Sequence, residues 1–169
     1  DSDFVKYPRD LDSDTEFCRD LGIDVVFAPD AETMYPPNLK IPVPRLPVVV
    51  TEPELEDKYR PGHLEGVCQV VARLFDLCRP AAAAFGEKDW QQLASGTQMS
   101  QELAHPVEML AVPTVREPDG LALSSRNLLL DKKARKQALG ISKALFTASD
   151  ARTALEAERV MNEVLDEAG

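Results

Sequence analysis

Apolar positions recur along this chain with two different periods, and the alternation between them outlines a fold. In "SDTEFCRDLGIDVVFAPD" (13–30) a helical segment breaks at Gly22 and gives way to the β-branched run 23–28. Ser13 with Glu16 three residues on has the form of a capping box, and Gly22 supplies a left-handed stop. The nearly continuous apolar run that follows predicts a strand buried on both faces, of the kind found in helix-covered parallel sheets. Residues 36–47 hold five prolines and predict an extended, irregular connection, after which "VVVT" (48–51) predicts another short strand. In "GHLEGVCQVVARLFDLCRP" (62–80), Leu64, Val67, Val70, Val71, Leu74, Phe75 and Cys78 form a helical stripe wide enough to pack on a sheet. A small strand over 81–85, a helix starting in "EKDWQQLA" and a strand over 107–112 complete the pattern.

Strand and helix in alternation predict an α/β domain with a parallel sheet, right-handed crossovers and ligands at the carboxyl ends of the strands. After Asn127 the texture changes. "DKKARKQALGISKALF" and "DARTALEAERVMNEVLDEAG" are helical segments of mixed charge with no strand between them, so a domain boundary is expected near residue 128.

Composition narrows the function classes. With 44% hydrophobic and 28% charged residues the 169-residue chain is of ordinary globular character. A net charge of -10 argues against an electrostatic grip on nucleic acid or an anionic membrane, so any anionic ligand needs a local basic cluster. No stretch approaches the 18 or so uninterrupted apolar residues of a membrane span. Cys18, Cys68 and Cys78 form no CxxC pair and read as small buried hydrophobes in a reducing cytosol.

Three clusters carry candidate chemistry. In "FGEKDWQQL" (85–93), Gly86 to Asp89 fall at the end of a strand and the start of a helix. Exposed N–H groups and the helix dipole favour an anion there, and Lys88 adds a mobile positive charge. A surface lysine in a βα loop accounts for the fragment equally well. In "KYRPGHLEGV", Arg60 and His63 flank a Pro-Gly turn that aims both toward the next helix. Arg60 is suited to fork onto a carboxylate or phosphate and His63 to donate a hydrogen bond, beside the plainer reading of a capping histidine and a solvated arginine. The most specific cluster is "PTVREPDGLALSSRN" (113–127), where two serines and Arg126 after a glycine-bearing loop suit a phosphate or oxyanion grip. His105, before Pro106, reads as loop decoration. Two histidines so far apart offer no metal-ligand spacing, and no protein-built zinc site is expected.

Taken in order with "YPRDLDSD" and "GIDVVFAPDAETMYP", these three motifs closely resemble the pantoate–β-alanine ligase family of the nucleotidylyltransferase superfamily. The resemblance runs over nearly all of residues 3–145. It implies a Rossmann-like parallel sheet over 1–128, with the first strands missing, and the helical start of a smaller C-terminal domain over 129–169. It also implies a two-step ligation. Pantoate attacks the α-phosphate of ATP to give pantoyl adenylate and pyrophosphate; the β-alanine amine then attacks the acyl carbon and releases AMP. Magnesium (Mg2+) bridges the ATP phosphates. Carried onto this chain, Lys88 grips ATP phosphate, Asp89 lies on the ribose side, and Gln92 hydrogen-bonds pantoate. Ser124, Ser125 and Arg126 hold the β- and γ-phosphates, and Gly86 and Val115 meet the nucleotide through backbone groups. Arg60 and His63 fall on the pantoate and β-alanine side. A cytoplasmic homodimer without nucleic-acid or membrane partners is implied as well.

The family's opening Pro-Thr-Met-Gly loop, His-x-Gly-His motif and Asn-Pro-x-Gln-Phe segment do not occur in this sequence. The 169 residues are therefore expected to be a segment of a longer enzyme. "ASGTQMSQEL" is more polar than the family's helix at this point, and "EDKYRPGH" departs from the usual approach to the Arg-Pro-Gly-His turn. The alternative expectation is a non-catalytic remnant that keeps a nucleotide-binding surface or a dimer interface.

Overall fold

Asp10, one turn before the expected start, begins the first helix of the computed structural model, which describes residues 9–39 and 55–169. The backbone N–H of Ser13 donates to Asp10 Oδ1 at 3.0 Å, so Ser13 lies inside helix α1 (Leu11–Asp20) and does not cap it. Asp is as good a cap as Ser, and the earlier start puts Asp12 and Asp14 in the first turn, where the helix dipole favours acids. The end of α1 is as expected. Gly22 has φ +76, its N–H donates to Arg19 O, and Ile23 N–H donates to Cys18 O, the paired bonds of a Schellman stop.

The strand expected over 23–28 does not form. Those residues join no ladder, and Ile23, Val25, Val26 and Phe27 are 51%, 78%, 41% and 48% exposed. A strand of this kind exists only through its neighbours, and the sheet of the described residues has two strands, both later in the chain. A short helix α2 (Ala31–Met34) follows, capped by Asp30, and Met34 is buried. The expected "VVVT" strand, and the proline-rich connection from residue 40 onward, lie outside the described residues.

After a single turn α3 (Glu56–Tyr59), the long helix α4 (His63–Cys78) leads to strand β1 (Ala82–Gly86). A 3-10 turn over Glu87–Asp89 opens helix α5 (Trp90–Glu102), and strand β2 (Glu108–Val112) completes the unit. The two strands are parallel, in register from Ala82 opposite Glu108 to Gly86 opposite Val112, which bears out the α/β reading. The sheet is covered on one face: Ala83, Phe85 and Met109 pack against Cys68, Val71, Ala72 and Phe75 of α4 and Met99 of α5. The buried stripe of α4 runs Leu64, Cys68, Val71, Ala72, Phe75, so its period is the expected one but its centre is shifted. Cys68 joins the core while Val70 and Cys78 turn outward. Of the three cysteines expected to be buried, only Cys68 is; Cys18 is half-buried and Cys78 exposed. Desolvation pushes the Cys68 thiol up to about 11, which leaves it an unreactive core group. His105 is no loose decoration: its ring meets Phe75 edge-on at 5.6 Å.

The described residues fall into two compact units, 15–113 as above and 9–14 with 114–169. In the second unit an antiparallel bridge between Arg116 and Ala122 closes a hairpin around Gly120 (φ +94). A 3-10 turn over Ser125–Leu129 then leads to helices α6 (Lys132–Thr147) and α7 (Ala154–Ala168), capped by Asp131 and Thr153. Helix α7 returns along α6 closely enough that a Cβ on buried Gly140 would stand 2.6 Å from Ala168 Cβ. Arg135 of α6 holds the hairpin with two short ion pairs, to Asp119 at 2.6 Å and Glu117 at 2.7 Å. Arg116 lies over the Phe146 ring at 5.3 Å. Among the described residues no helix is long and apolar enough to cross a membrane.

Candidate active site

The carboxyl end of β1 supplies the first part of the site. Gly86 closes the strand with φ −73 and ψ 135, and no atom lies within 4 Å of the position a Cβ would take. The chain here is bare backbone facing open space. Lys88 and Asp89 follow on the 3-10 turn, both exposed, with Lys88 Nζ 3.0 Å from Asp89 Oδ1. Asp89 occupies the N-cap position of α5 but makes no side-chain capping bond there. The first-turn N–H groups of α5 thus lack a cap from that carboxylate, a setting that favours an anion. The exposed Lys88–Asp89 pair is worth little in water, so Lys88 can exchange Asp89 for a more highly charged ligand at small cost. Trp90, 55% exposed, is the first residue of α5.

One turn further on, Gln92 faces a pocket of about 550 Å³. Its other walls come from Tyr35 after α2, Gly62 and His63 at the start of α4, and Val67, Val70 and Val71 along that helix. The mixture is an apolar wall with the amides of Gln69 and Gln92, an imidazole and a phenol, suited to a small ligand that carries both apolar and hydrogen-bonding groups. Gly62 has φ +77, the left-handed value that lets the chain turn sharply into α4. Arg60 stands just outside this wall: its Nη1 is 3.2 Å from Glu56 Oε1 and 3.4 Å from His63 Nε2. Since a guanidinium has only donors, Nε2 is the accepting nitrogen in that contact.

The third cluster belongs to the second unit. Val115 is 62% exposed, and its carbonyl accepts from Leu123 N–H at 2.9 Å in the hairpin. Ser124 caps the 3-10 turn, its Oγ accepting from Arg126 N–H at 3.2 Å, while the Ser125 and Arg126 side chains are exposed. Asn127 ties this turn to the hairpin through Nδ2–H to Ala122 O at 3.0 Å. The structure therefore brings His63 and Gln92 together at one pocket, with Arg60 behind it and Gly86, Lys88 and Asp89 just ahead of Gln92 in the chain. It places Val115, Ser124, Ser125 and Arg126 together in the second unit.

The sequence reading missed Tyr35, and it assigned Val67, Val70 and Val71 wholly to the core. A signal was present. Adjacent valines at 70 and 71 make the stripe of α4 broader than one packed face requires, and the excess lines the pocket.

A parallel-sheet α/β unit with its polar groups gathered beyond the strand ends defines a class of small-ligand enzymes and binding proteins. The sequence profile described as Pantoate-beta-alanine ligase matches residues 1–169, and the chain belongs to that family. It is 45% identical to the pantothenate synthetase of Rhizobium rhizogenes, an alignment covering 98% of this chain and 53% of that protein. With the pantothenate synthetase of Thermobifida fusca it shares 46% identity over 88% of this chain and 51% of the relative. The chain thus spans about half the length of these curated relatives. Among solved structures, a pantothenate synthetase from Thermus thermophilus superimposes with a TM-score of 0.88 at 43% identity, covering 98% of this chain and 60% of that one. A pantoate-beta-alanine ligase from Francisella tularensis, complexed with beta-gamma ATP and beta-alanine, gives 0.77 at 32% identity, covering 96% and 61%.

Proposed function

We propose that the protein condenses pantoate with β-alanine at the expense of ATP, through a pantoyl-adenylate intermediate. The observation that carries this reading is the pocket shared by Gln92 and His63, its apolar wall of Val67, Val70 and Val71, and the Lys88 loop at the strand end, in a chain of this family. Pantoate carries a carboxylate, two hydroxyls and a pair of methyl groups on one carbon. The valines suit the methyls, and Gln92 suits a hydroxyl or the carboxylate. Lys88 and the amino end of α5 take phosphate oxygens, Gly86 and Val115 meet the nucleotide through backbone groups, and Asp89 takes the ribose. Ser124, Ser125 and Arg126 take the terminal phosphates, and Arg60 and His63 act on the pantoate and β-alanine side. Catalysis is then positioning together with electrostatic stabilisation of the phosphorus as pyrophosphate departs.

No group of three or more His, Cys, Asp or Glu among the described residues is arranged to hold a metal ion. Magnesium enters this proposal on the ATP phosphates, as part of the substrate. A cytosolic homodimer completes the reading, and sedimentation of the intact protein tests the dimer.

The reaction is tested by pantoate-dependent exchange of labelled pyrophosphate into ATP, with Lys88→Ala alongside. Exchange that requires pantoate and falls at least 100-fold in the variant is the expected result, the range for loss of one electrostatic contact to the transition state. A folded protein that exchanges nothing with pantoate present would overturn it.

A further inference from the structure

One amide behind the pocket is left half-used. Gln91 Oε1 accepts the backbone N–H of Glu56 at 3.1 Å, joining α5 to the α3 turn across 35 residues of sequence. Its Nε2 is buried and, among the described residues, has no hydrogen-bond partner. Turning the amide over does not resolve this, because an –NH2 group would then face the Glu56 N–H, donor against donor. An unsatisfied buried donor is a cost that a leucine or methionine at the same place would avoid. The acceptor at the other end of the amide is the reason to keep it. Glu56, once fixed, holds Arg60 Nη1 at 3.2 Å, and Arg60 reaches His63 Nε2 at 3.4 Å. Gln91 is itself anchored, since Ser95 Oγ donates to its carbonyl. The neighbouring side chain in sequence, Gln92, faces the same pocket as His63.

We propose that Gln91 is a positioning residue that, through Glu56 and Arg60, fixes the His63 wall of the pocket at a set distance from the Gln92 wall. The proposal rests on the ligase reading for the substrate concerned, but the linkage it describes does not. Opposite walls of a pocket that must fix a small flexible acid need to be held to a fraction of an ångström, and Gln91 adds a polar link between them to the packing of α4 on α5.

Gln91→Met in the intact protein removes the orphaned donor together with the acceptor. It is expected to melt at or above the parental temperature, to raise KM for pantoate about tenfold, and to change kcat less than threefold. A merely structural glutamine would lower the melting temperature and leave the KM-against-kcat split untouched. Adding Glu56→Gln, which weakens the hold on Arg60, should raise KM little further, since both changes cut one chain of contacts. His63 provides a readout independent of activity. Arg60 Nη1 lies 3.4 Å from its Nε2, so release of Arg60 should shift the imidazole resonances in NMR spectra at fixed pH. Gln91→Glu, which retains an acceptor for the Glu56 N–H, should return those resonances toward their parental positions, and it keeps the test informative if Gln91→Met folds poorly. His63 resonances unmoved in Gln91→Met, or moved equally in Gln91→Glu, overturn the proposal. Resonances that move only in Gln91→Met, in a protein without pantoate-dependent exchange, leave the linkage standing and sink the ligase reading.

Discussion

Gly86 and Gly62 differ in what an added methyl would do. At Gly86 the backbone is extended and the Cβ position is open, so alanine fits the fold without strain. Its stability should stay within about 0.5 kcal/mol of the parent, as for a surface substitution. If Gly86 meets the nucleotide with its backbone, the same methyl should still raise the KM for ATP at least tenfold. Thermal melts beside ATP kinetics read both quantities, and unchanged ATP kinetics would remove Gly86 from the site. At Gly62 space is equally open but φ is +77, so alanine there should cost about 1–2 kcal/mol through the backbone alone. The contrast tests whether Gly86 is kept for a ligand, as Gly62 is kept for its turn. His105 shows how far a single residue can be read without the fold. Its neighbour Pro106 suggested a loop, but the contact that defines it comes from Phe75, thirty residues earlier.

At the scale of elements, the cap of α1 offers a direct comparison. Asp10→Ala should cost about 1 kcal/mol, the usual value of a lost cap, whereas Ser13→Ala should be close to neutral. Chemical denaturation of the two variants decides between them. The α6–α7 pair makes a harsher prediction. Alanine at Gly140 would press on Ala168, a side chain with no flexible end to yield, and overpacking of this kind costs about 1–3 kcal/mol. A melting point unchanged in Gly140→Ala would show that the two helices slide apart freely. The elements were legible where the signal is local. The stop at Gly22, the span of α4 and the order β1, α5, β2 follow from glycine stereochemistry and apolar period alone. The run 23–28 carried an equally clear strand pattern but forms no ladder, because pairing is a property of two segments and only one was being read. The site divides along the same line. Loop motifs pointed to Lys88 and His63, and the family resemblance to Gln92, whereas Tyr35 and Gln91 meet distant parts of the chain through contacts that no spacing rule supplies.

For the whole molecule, acid is the revealing variable. Arg135 holds the Asp119 carboxyl below the usual carboxylate range, and Thr33 does the same to Asp30 by hydrogen bonding. Both groups lose protons more readily folded than unfolded. Their contribution to stability is therefore fully present above the unfolded carboxylate value of about 4, and it is lost as pH falls through the lower folded values. Melting temperatures should hold between neutrality and pH 5 and then fall, and Asp119→Asn should make the fall shallower. A variant with the parental acid limb would show that the hairpin clamp contributes nothing in solution. The molecule also reports on itself at neutral pH. Its one tryptophan, Trp90, stands immediately after Lys88 and Asp89 and is more than half exposed at the head of α5. Whatever settles on that loop must alter the polarity around the indole. Ultraviolet emission from the unlabelled protein becomes an optical gauge of occupancy at the 86–89 loop, readable during a titration or from the end of the dead time of a rapid mixer.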